Sequence, residues 1–385
     1  MRASELRNWA LGVGACASIA GCAELVGASF DVVPDDGTSS SSSSSTGGGG
    51  GAGGGLGPGV ELLVAIDYAS DIAVEQEQVY YTVWREMPGE GGGVYRVPAD
   101  GSAEPVRLSD DAIFANRVLL HGSHVYWTET VSGPGAGRVQ RVPKLGGDVE
   151  TLAEVDYPLG LTVHGGALYF SSRENDANES VPVLDPIEPV AITDLFRVDL
   201  DPLGEPRLHA RVPRGVGLLS ADDTWIWGAD LYDDVAVRVR AEPWDDGGGS
   251  VEPGEWYRIS FPSQVYAVPG ANGIDSTPGL TIVGSYRPEG GLYRVGHQAE
   301  AQLTIGGQAG VADVVLSGGR VYWANFDSDE IRSAVPVGGS EIVHARGQFG
   351  ANGVAVDDGW IYFTCYAERA LGGGVRRVRT TQRAP

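Results

Sequence analysis

The chain has 385 residues, with 27 Lys and Arg against 51 Asp and Glu, for a net charge of −24; this excludes nucleic acid as a partner, because the phosphate backbone would be repelled. With 58 Gly, 22 Pro, 15 Tyr, 9 Trp and only 2 Met, the composition is that of a turn-dense all-β protein. Of the three cysteines only Cys365 lies in the expected folded body, which excludes an internal disulfide there and predicts a small buried thiol in a strand.

At the N-terminus Arg2 and Arg7 precede an apolar run from Trp9 to Ala20 that ends in small residues. That is the layout of an export signal, and the run is short for a bilayer span. Ile19-Ala20-Gly21-Cys22 resembles the lipobox of bacterial lipoproteins. The resemblance implies that residues 1–21 are removed as a signal peptide and that Cys22 is lipidated, anchoring the protein in the cell envelope, at the outer membrane or cell surface. An ordinary secretory signal cleaved nearby is the alternative. Residues 22–59 include Ser39 to Ser45 and Gly47 to Gly51 and have little to drive packing, so they read as a flexible linker. At roughly 5–6 Å times the square root of its length, its mean reach is on the order of 35 Å.

From residue 60 an aromatic strand recurs. It appears as Val79-Tyr80-Tyr81, Val125-Tyr126-Trp127, Leu168-Tyr169-Phe170, Trp225-Ile226-Trp227, Thr281-Ile282-Val283, Val321-Tyr322-Trp323 and Ile361-Tyr362-Phe363. The spacings of 46, 43, 57, 56, 40 and 40 residues bracket the period of a four-stranded propeller blade. A shorter apolar strand precedes each copy. Gly122-Ser123, Gly165-Gly166, Asp222-Asp223, Gly318-Gly319 and Asp358-Gly359 read as hairpin turns with positive φ. Third and fourth strands follow, as in Val139 to Pro143 and Val149 to Ala153, giving four strands per unit. The last unit lacks a fourth strand, and the stretch from Val60 to Ile66 matches the fourth strand that begins at Val149. The expected fold is therefore an all-β propeller of seven four-stranded blades over residues 60–385, closed by the N-terminal strand. Tyr322-Trp323-Ala324-Asn325 with Ile331-Arg332 and Gly338-Gly339 resembles the YWTD class of propeller repeats and, more loosely, NHL-like propellers. That class usually has six blades, which is the alternative.

In a propeller, the loops entering each first strand and joining the second and third strands share one face, where sites usually lie. The equivalent entry positions, placed just ahead of the first strand, include Ser70, Asn116, Asn272 and Asn352, and the next position carries Asp71, Arg117 and Asp313. Either Asn-Gly simply suits a tight turn there, or these residues form a polar ring for a small ligand or ion. Four residues after each anchor centre come Trp84, Tyr286, Phe326 and Tyr366, neighbours once the ring closes, where rings beside polar groups could grip sugar or peptide. Thr130, Arg173 and Asp230 hold that position in the other blades. Long insertions, roughly Glu174 to Thr193 and Asp230 to Pro253, read as second-to-third-strand loops on this same face.

No catalytic constellation or metal site emerges. His121 and His164 share a hairpin position, His209 and His344 a fourth-strand position, and His124 and His297 join no nucleophile or metal set. Asn325, Asp327 and Asp329, like Glu174, Asp176 and Asn178, alternate as in a calcium loop but lack its Gly and distal Glu, leaving calcium as the only cofactor worth naming. The expected function is a binding or interaction module for a small ligand, a glycan or an envelope protein. The alternatives are a propeller lyase or hydrolase, marked by a carboxylate or His converging on Arg117, and a scaffold for envelope complexes.

Overall fold

The computed structural model describes residues 56–87, 89–109, 112–131, 135–173, 193–212, 216–230, 234–241, 264–296 and 300–381. The leader, Cys22 and the Ser/Gly segment lie outside them. So do the blade 3 insertion from Glu174, with Asp176 and Asn178, and His297.

The described strands form seven four-stranded antiparallel sheets, six of them running in sequence order from an inner to an outer strand. Each inner strand packs on the inner strands of its two neighbours, which closes a seven-bladed β-propeller. Blade 1 shows the pattern, with Ala69–Glu75, Gln78–Val83, Gly93–Pro98 and Val106–Arg107. Blade 7 takes its outer strand from the N-terminus: β1, Val60–Ala65, pairs with Gly374–Arg379 through Val60↔Val378, Glu61↔Arg377 and Ala65↔Gly374. Arg377 Nη2 meets Glu61 Oε2 at 2.6 Å across that closing ladder.

The paired aromatics follow from strand alternation, because consecutive side chains point to opposite faces of a sheet. Tyr126 fills the core between blades 2 and 3, while Trp127 fills the core between blades 1 and 2. Tyr322 and Trp323 divide in the same way between the two neighbours of blade 6. Seven buried clusters result, one per blade interface.

Blade 4 corrects the sequence alignment in two respects. Its second strand is Trp225–Asp230, and Trp227 rather than Ile226 fills the core shared with the next blade. Three successive apolar residues cannot fix strand parity, so the anchor was displaced by one. Its third strand, Val235–Arg240, lies inside the stretch expected as an entry-face insertion. Val235-Ala-Val-Arg-Val is buried and pairs, so the long connection comes instead between the third and fourth strands in the chain. The Asp222-Asp223 hairpin also differs from expectation. Neither residue has positive φ; Asp222 Oδ1 instead accepts from Thr224 N at 2.8 Å and Trp225 N at 2.9 Å.

Candidate functional site

The entry face is built by two devices that recur around the ring. The first is a bulge in the inner strand, with register shifts between Ala69/Ile72, Ala115/Val118, Pro158/Leu161, Ala271/Ile274, Val311/Asp313 and Ala351/Val354. The candidate polar residues therefore sit inside the first strand rather than ahead of it. Ser70, Asp71, Asn116, Arg117, Asn272, Asn352 and Asp313 are bulge residues. Two observations give them structural work. Asn352 Nδ2 donates to Ser70 O at 2.7 Å and Asn272 Nδ2 to Ala312 O at 3.0 Å, each in the following blade. Asn116 Nδ2 donates to Thr130 Oγ1 at 3.3 Å, and Asn116 Oδ1 accepts from Ser70 Oγ at 3.4 Å. The glycines after Asn272 and Asn352 are not turn glycines, since neither has positive φ. A Cβ on Gly273 would lie 2.8 Å from Asp313 Cα, and one on Gly353 would lie 3.1 Å from Asp71 Cα, so glycine allows the inner strands to approach.

A hydroxyl two residues after the anchor joins these bulges between blades. Thr82 Oγ1 accepts from Asp71 N at 2.9 Å and donates to Asn116 O at 2.6 Å in the next blade. Ser171 and Thr364 repeat the arrangement, the latter with Gly353 N and Ser70 O, both at 2.8 Å. Thr128 does so at longer distances of 3.2 and 3.3 Å.

The second device, in blades 1 to 3 and 5 to 7, is a left-handed residue just before the inner strand, whose carbonyl accepts from the residue four beyond the anchor. Trp84 N donates to Tyr68 O at 3.0 Å, Thr130 N to Phe114 O at 3.1 Å and Arg173 N to Tyr157 O at 3.3 Å. In blades 5 to 7 the acceptors are Gly270, Gly310 and Gly350. The φ values are +56°, +52° and +40° at Tyr68, Phe114 and Tyr157, and +60° to +69° at the glycines. Bulky residues in this region are strained, so blades 1 to 3 hold rings where glycine serves in blades 5 to 7.

These left-handed aromatics extend the expected arc. Tyr68 packs on Tyr366 with centroids 5.4 Å apart, Phe114 on Trp84 at 4.7 Å, and Tyr286 on Phe326 at 6.1 Å. Trp84 and Tyr286 are buried and support the arc from beneath, while Tyr68, Phe114, Phe326 and Tyr366 are half-buried. Tyr68, Phe114 and Tyr157 were missed, although the sequence carried a signal: Asp67-Tyr68 and Asp156-Tyr157 both follow the matched outer strands directly.

Three charged bulge residues share one field. Arg117 Nη1 lies 3.4 Å from Asp71 Oδ1, and Asp71 Oδ2 accepts from Val118 N at 2.8 Å. Asp313 Oδ2 accepts from Val354 N at 3.0 Å. Burial raises the Asp71 carboxyl against the lowering influence of Arg117 and two backbone amides. Burial, reinforced by the Asp71 charge and opposed by Arg117, pushes Asp313 up to about 7. Asp313 can thus exchange a proton near neutral pH.

The remaining candidates are structural. Cys365 is buried in a strand, and burial pushes its thiol up to about 12. His344 Nε2 lies 2.7 Å from Ser333 Oγ, but both residues are fully buried. His209 Nε2 contacts Arg240 O at 2.7 Å, and burial lowers its pKa. Asn325 Nδ2 donates to Gln308 Oε1 at 3.0 Å, and Asp329 Oδ1 accepts from Gly350 N at 3.1 Å. Among the described residues no group of three or more His, Cys, Asp or Glu is arranged to hold a metal.

No family model matches the sequence, and no curated protein matches it. Solved structures do match in fold. A computationally designed protein, Ika8, aligns at a TM-score of 0.50 and 11% identity, over 83% of this chain and 99% of that one. An acylaminoacyl peptidase from Pyrococcus horikoshii aligns at 0.50 and 12%, over 77% of this chain and 48% of the peptidase chain. A chain of a nidogen/laminin complex aligns at 0.43 and 13%, over 63% of this chain and 86% of that one. At these identities the likeness is one of fold alone.

Proposed function

We propose that this chain is a lipid-anchored protein of the cell envelope whose propeller is a binding module, taking its ligand on the entry face. The observation that supports this reading is the pair of strained, half-buried aromatic residues Tyr68 and Phe114, at positions where the same ring uses glycine elsewhere. Backbone strain of this kind concentrates at ligand clamps. The Arg2, Arg7, Trp9 to Ala20 and Cys22 pattern supports the anchor. Two measurements test the proposal. Metabolic labelling with an alkyne fatty acid should mark the wild-type protein and not Cys22→Ser. A thermal-shift screen against calcium, glycan fragments and peptides should give a hit, because a ligand that binds only the folded state raises Tm; that hit should weaken in Phe114→Gly. Unlabelled wild type sinks the anchor, and a hit indifferent to the entry-face change sinks the site.

A second reading, a propeller lyase or hydrolase acting on glycan or peptide, is favoured by one observation. Carboxylates do converge on Arg117, and Asp313 titrates near the range useful to a general acid or base. Turnover of a chromogenic glycan or peptide that Asp313→Asn abolishes would establish it. Turnover unchanged in Asp313→Asn would refute that role.

A further inference from the structure

Where blade 7 meets blade 1, the entry face carries a compact aromatic and acidic cluster. The half-buried rings of Tyr68 and Tyr366 stand 5.4 Å apart at 52°. The Tyr68 hydroxyl donates to Glu368 Oε1 at 3.3 Å, and Glu368 is exposed. Arg85 already shows what such a ring accepts: its guanidinium lies 5.0 Å over Tyr68 and is held by Asp67 Oδ2 at 3.1 Å. Asp67 also accepts from Arg369 N. No described cation lies over Tyr366. Its phenol is pushed up by burial and by the nearby Tyr68 and Glu86, with Arg85 opposing. Ring faces are electron-rich and attract ammonium and guanidinium groups, most of all where carboxylates flank them.

We infer that this seam is a recognition site for an organic cation, an alkylammonium or guanidinium group, which seats on the Tyr366 ring between the Glu368 and Glu86 carboxylates. Three features favour a cation over a neutral ligand. The cluster holds Asp67, Glu86 and Glu368 against Arg85 and Arg369, so it is acidic within a chain of net charge −24. The second ring of the pair already bears a guanidinium. Tyr68 also keeps its ring at φ +56°, where Gly270, Gly310 and Gly350 show that the fold accepts glycine. The inference rests on the entry face being the binding face, and it narrows the ligand class there.

The test compares choline with its uncharged isostere, in which carbon replaces the nitrogen, by thermal shift and titration calorimetry on the full chain at fixed ionic strength. Choline should bind about two- to thirtyfold more tightly. The preference should vanish in Tyr366→Leu and weaken in Tyr68→Gly, which places glycine where sister blades use it and so leaves the fold intact. A trilysine peptide as a second probe separates sources: a peptide-only preference assigns the cation to a protein partner, and a choline preference to a free amine. A charge preference that survives both variants overturns the site. Absence of any preference, while a glycan or other peptide still raises Tm, overturns the cation inference and leaves the entry face standing.

Discussion

The hydroxyls that join neighbouring blades yield a prediction with an internal control. Thr82 and Thr364 are both fully buried and make equivalent contacts. Valine has nearly the same shape, so Thr→Val removes the oxygen and little else. In Thr82→Val the amide of Asp71 and the carbonyl of Asn116 both lose the hydroxyl that partners them. Each buried, unsatisfied group costs about 1–3 kcal/mol, giving about 2–6 kcal/mol in all. In Thr364→Val only the amide of Gly353 is orphaned, because Asn352 Nδ2 still donates to Ser70 O at 2.7 Å. That variant should lose about 1–3 kcal/mol. Adding Asn352→Ala to it should cost more than the two single changes together, since both donors serve one carbonyl. Urea denaturation followed by tryptophan fluorescence measures all of these. A Thr82→Val midpoint equal to wild type, or a Thr364→Val loss larger than that of Thr82→Val, would refute the account.

Three further outcomes follow from the same geometry. Asp313 has a folded pKa of about 7, above the ordinary carboxylate value, so the native state holds a proton that the unfolded chain releases. Stability should therefore fall as pH rises from about 4 to 7, by at most about 1.4 kcal/mol per pH unit, and level off above; Asp313→Asn should flatten that slope, and an unaltered slope would assign it elsewhere. Deleting the chain through Ala65 removes Val60 and Val64 from two interface clusters, which costs about 3–6 kcal/mol for the valines alone. It also exposes the ladder edge of Gly374–Arg379, so size-exclusion chromatography should show self-association; a monomer of unchanged midpoint would argue against closure by this strand. Cys365, fully buried with its thiol pushed up to about 12, should resist iodoacetamide in the native protein and react after denaturation, as read by peptide mass mapping.

Most of the architecture was legible because it depends on periodicity. Aromatic anchors at 40- to 57-residue spacing, hairpin signals and the homology between Val60 to Ile66 and an outer strand were sufficient for seven blades and for the closing ladder. The blade 4 errors have a single cause. Trp225-Ile226-Trp227 is apolar throughout and gives no parity, and without the correct parity Val235–Arg240 did not register as a partner strand. The candidate site was legible by position and not by role. The alignment brought Asn272, Asn352, Asp71, Arg117 and Asp313 to one face, but not that the asparagines bond to the next blade. Nor did it reveal that Gly273 and Gly353 serve close approach instead of a turn. Such contacts join residues of different repeats, and no single repeat encodes them. A repeat that was visible went unread: an arginine stands opposite the anchor in six blades, Arg96, Arg141, Arg197, Arg238, Arg294 and Arg377.

The entry face is asymmetric, and its energetics separate a structural cause from a functional one. At Phe114, a left-handed bulky residue carries about 1–3 kcal/mol of strain. Its ring contact with Trp84 returns about 0.5–1.5 kcal/mol, and the extra freedom glycine gives the unfolded chain is worth about 0.5–1 kcal/mol. These terms nearly cancel, so Phe114→Gly should change folding stability by no more than about 1 kcal/mol in denaturant titration. If stability alone had shaped these loops, glycine would do equally well at all six positions, as it does at Gly270, Gly310 and Gly350. Holding half-buried rings at Tyr68 and Phe114 instead makes sense when those rings meet something outside the fold. A large stability loss in Phe114→Gly would return these aromatics to a packing role and remove the main support for a binding face. A small loss, together with a weakened ligand response, would tie the strained half of the ring to recognition.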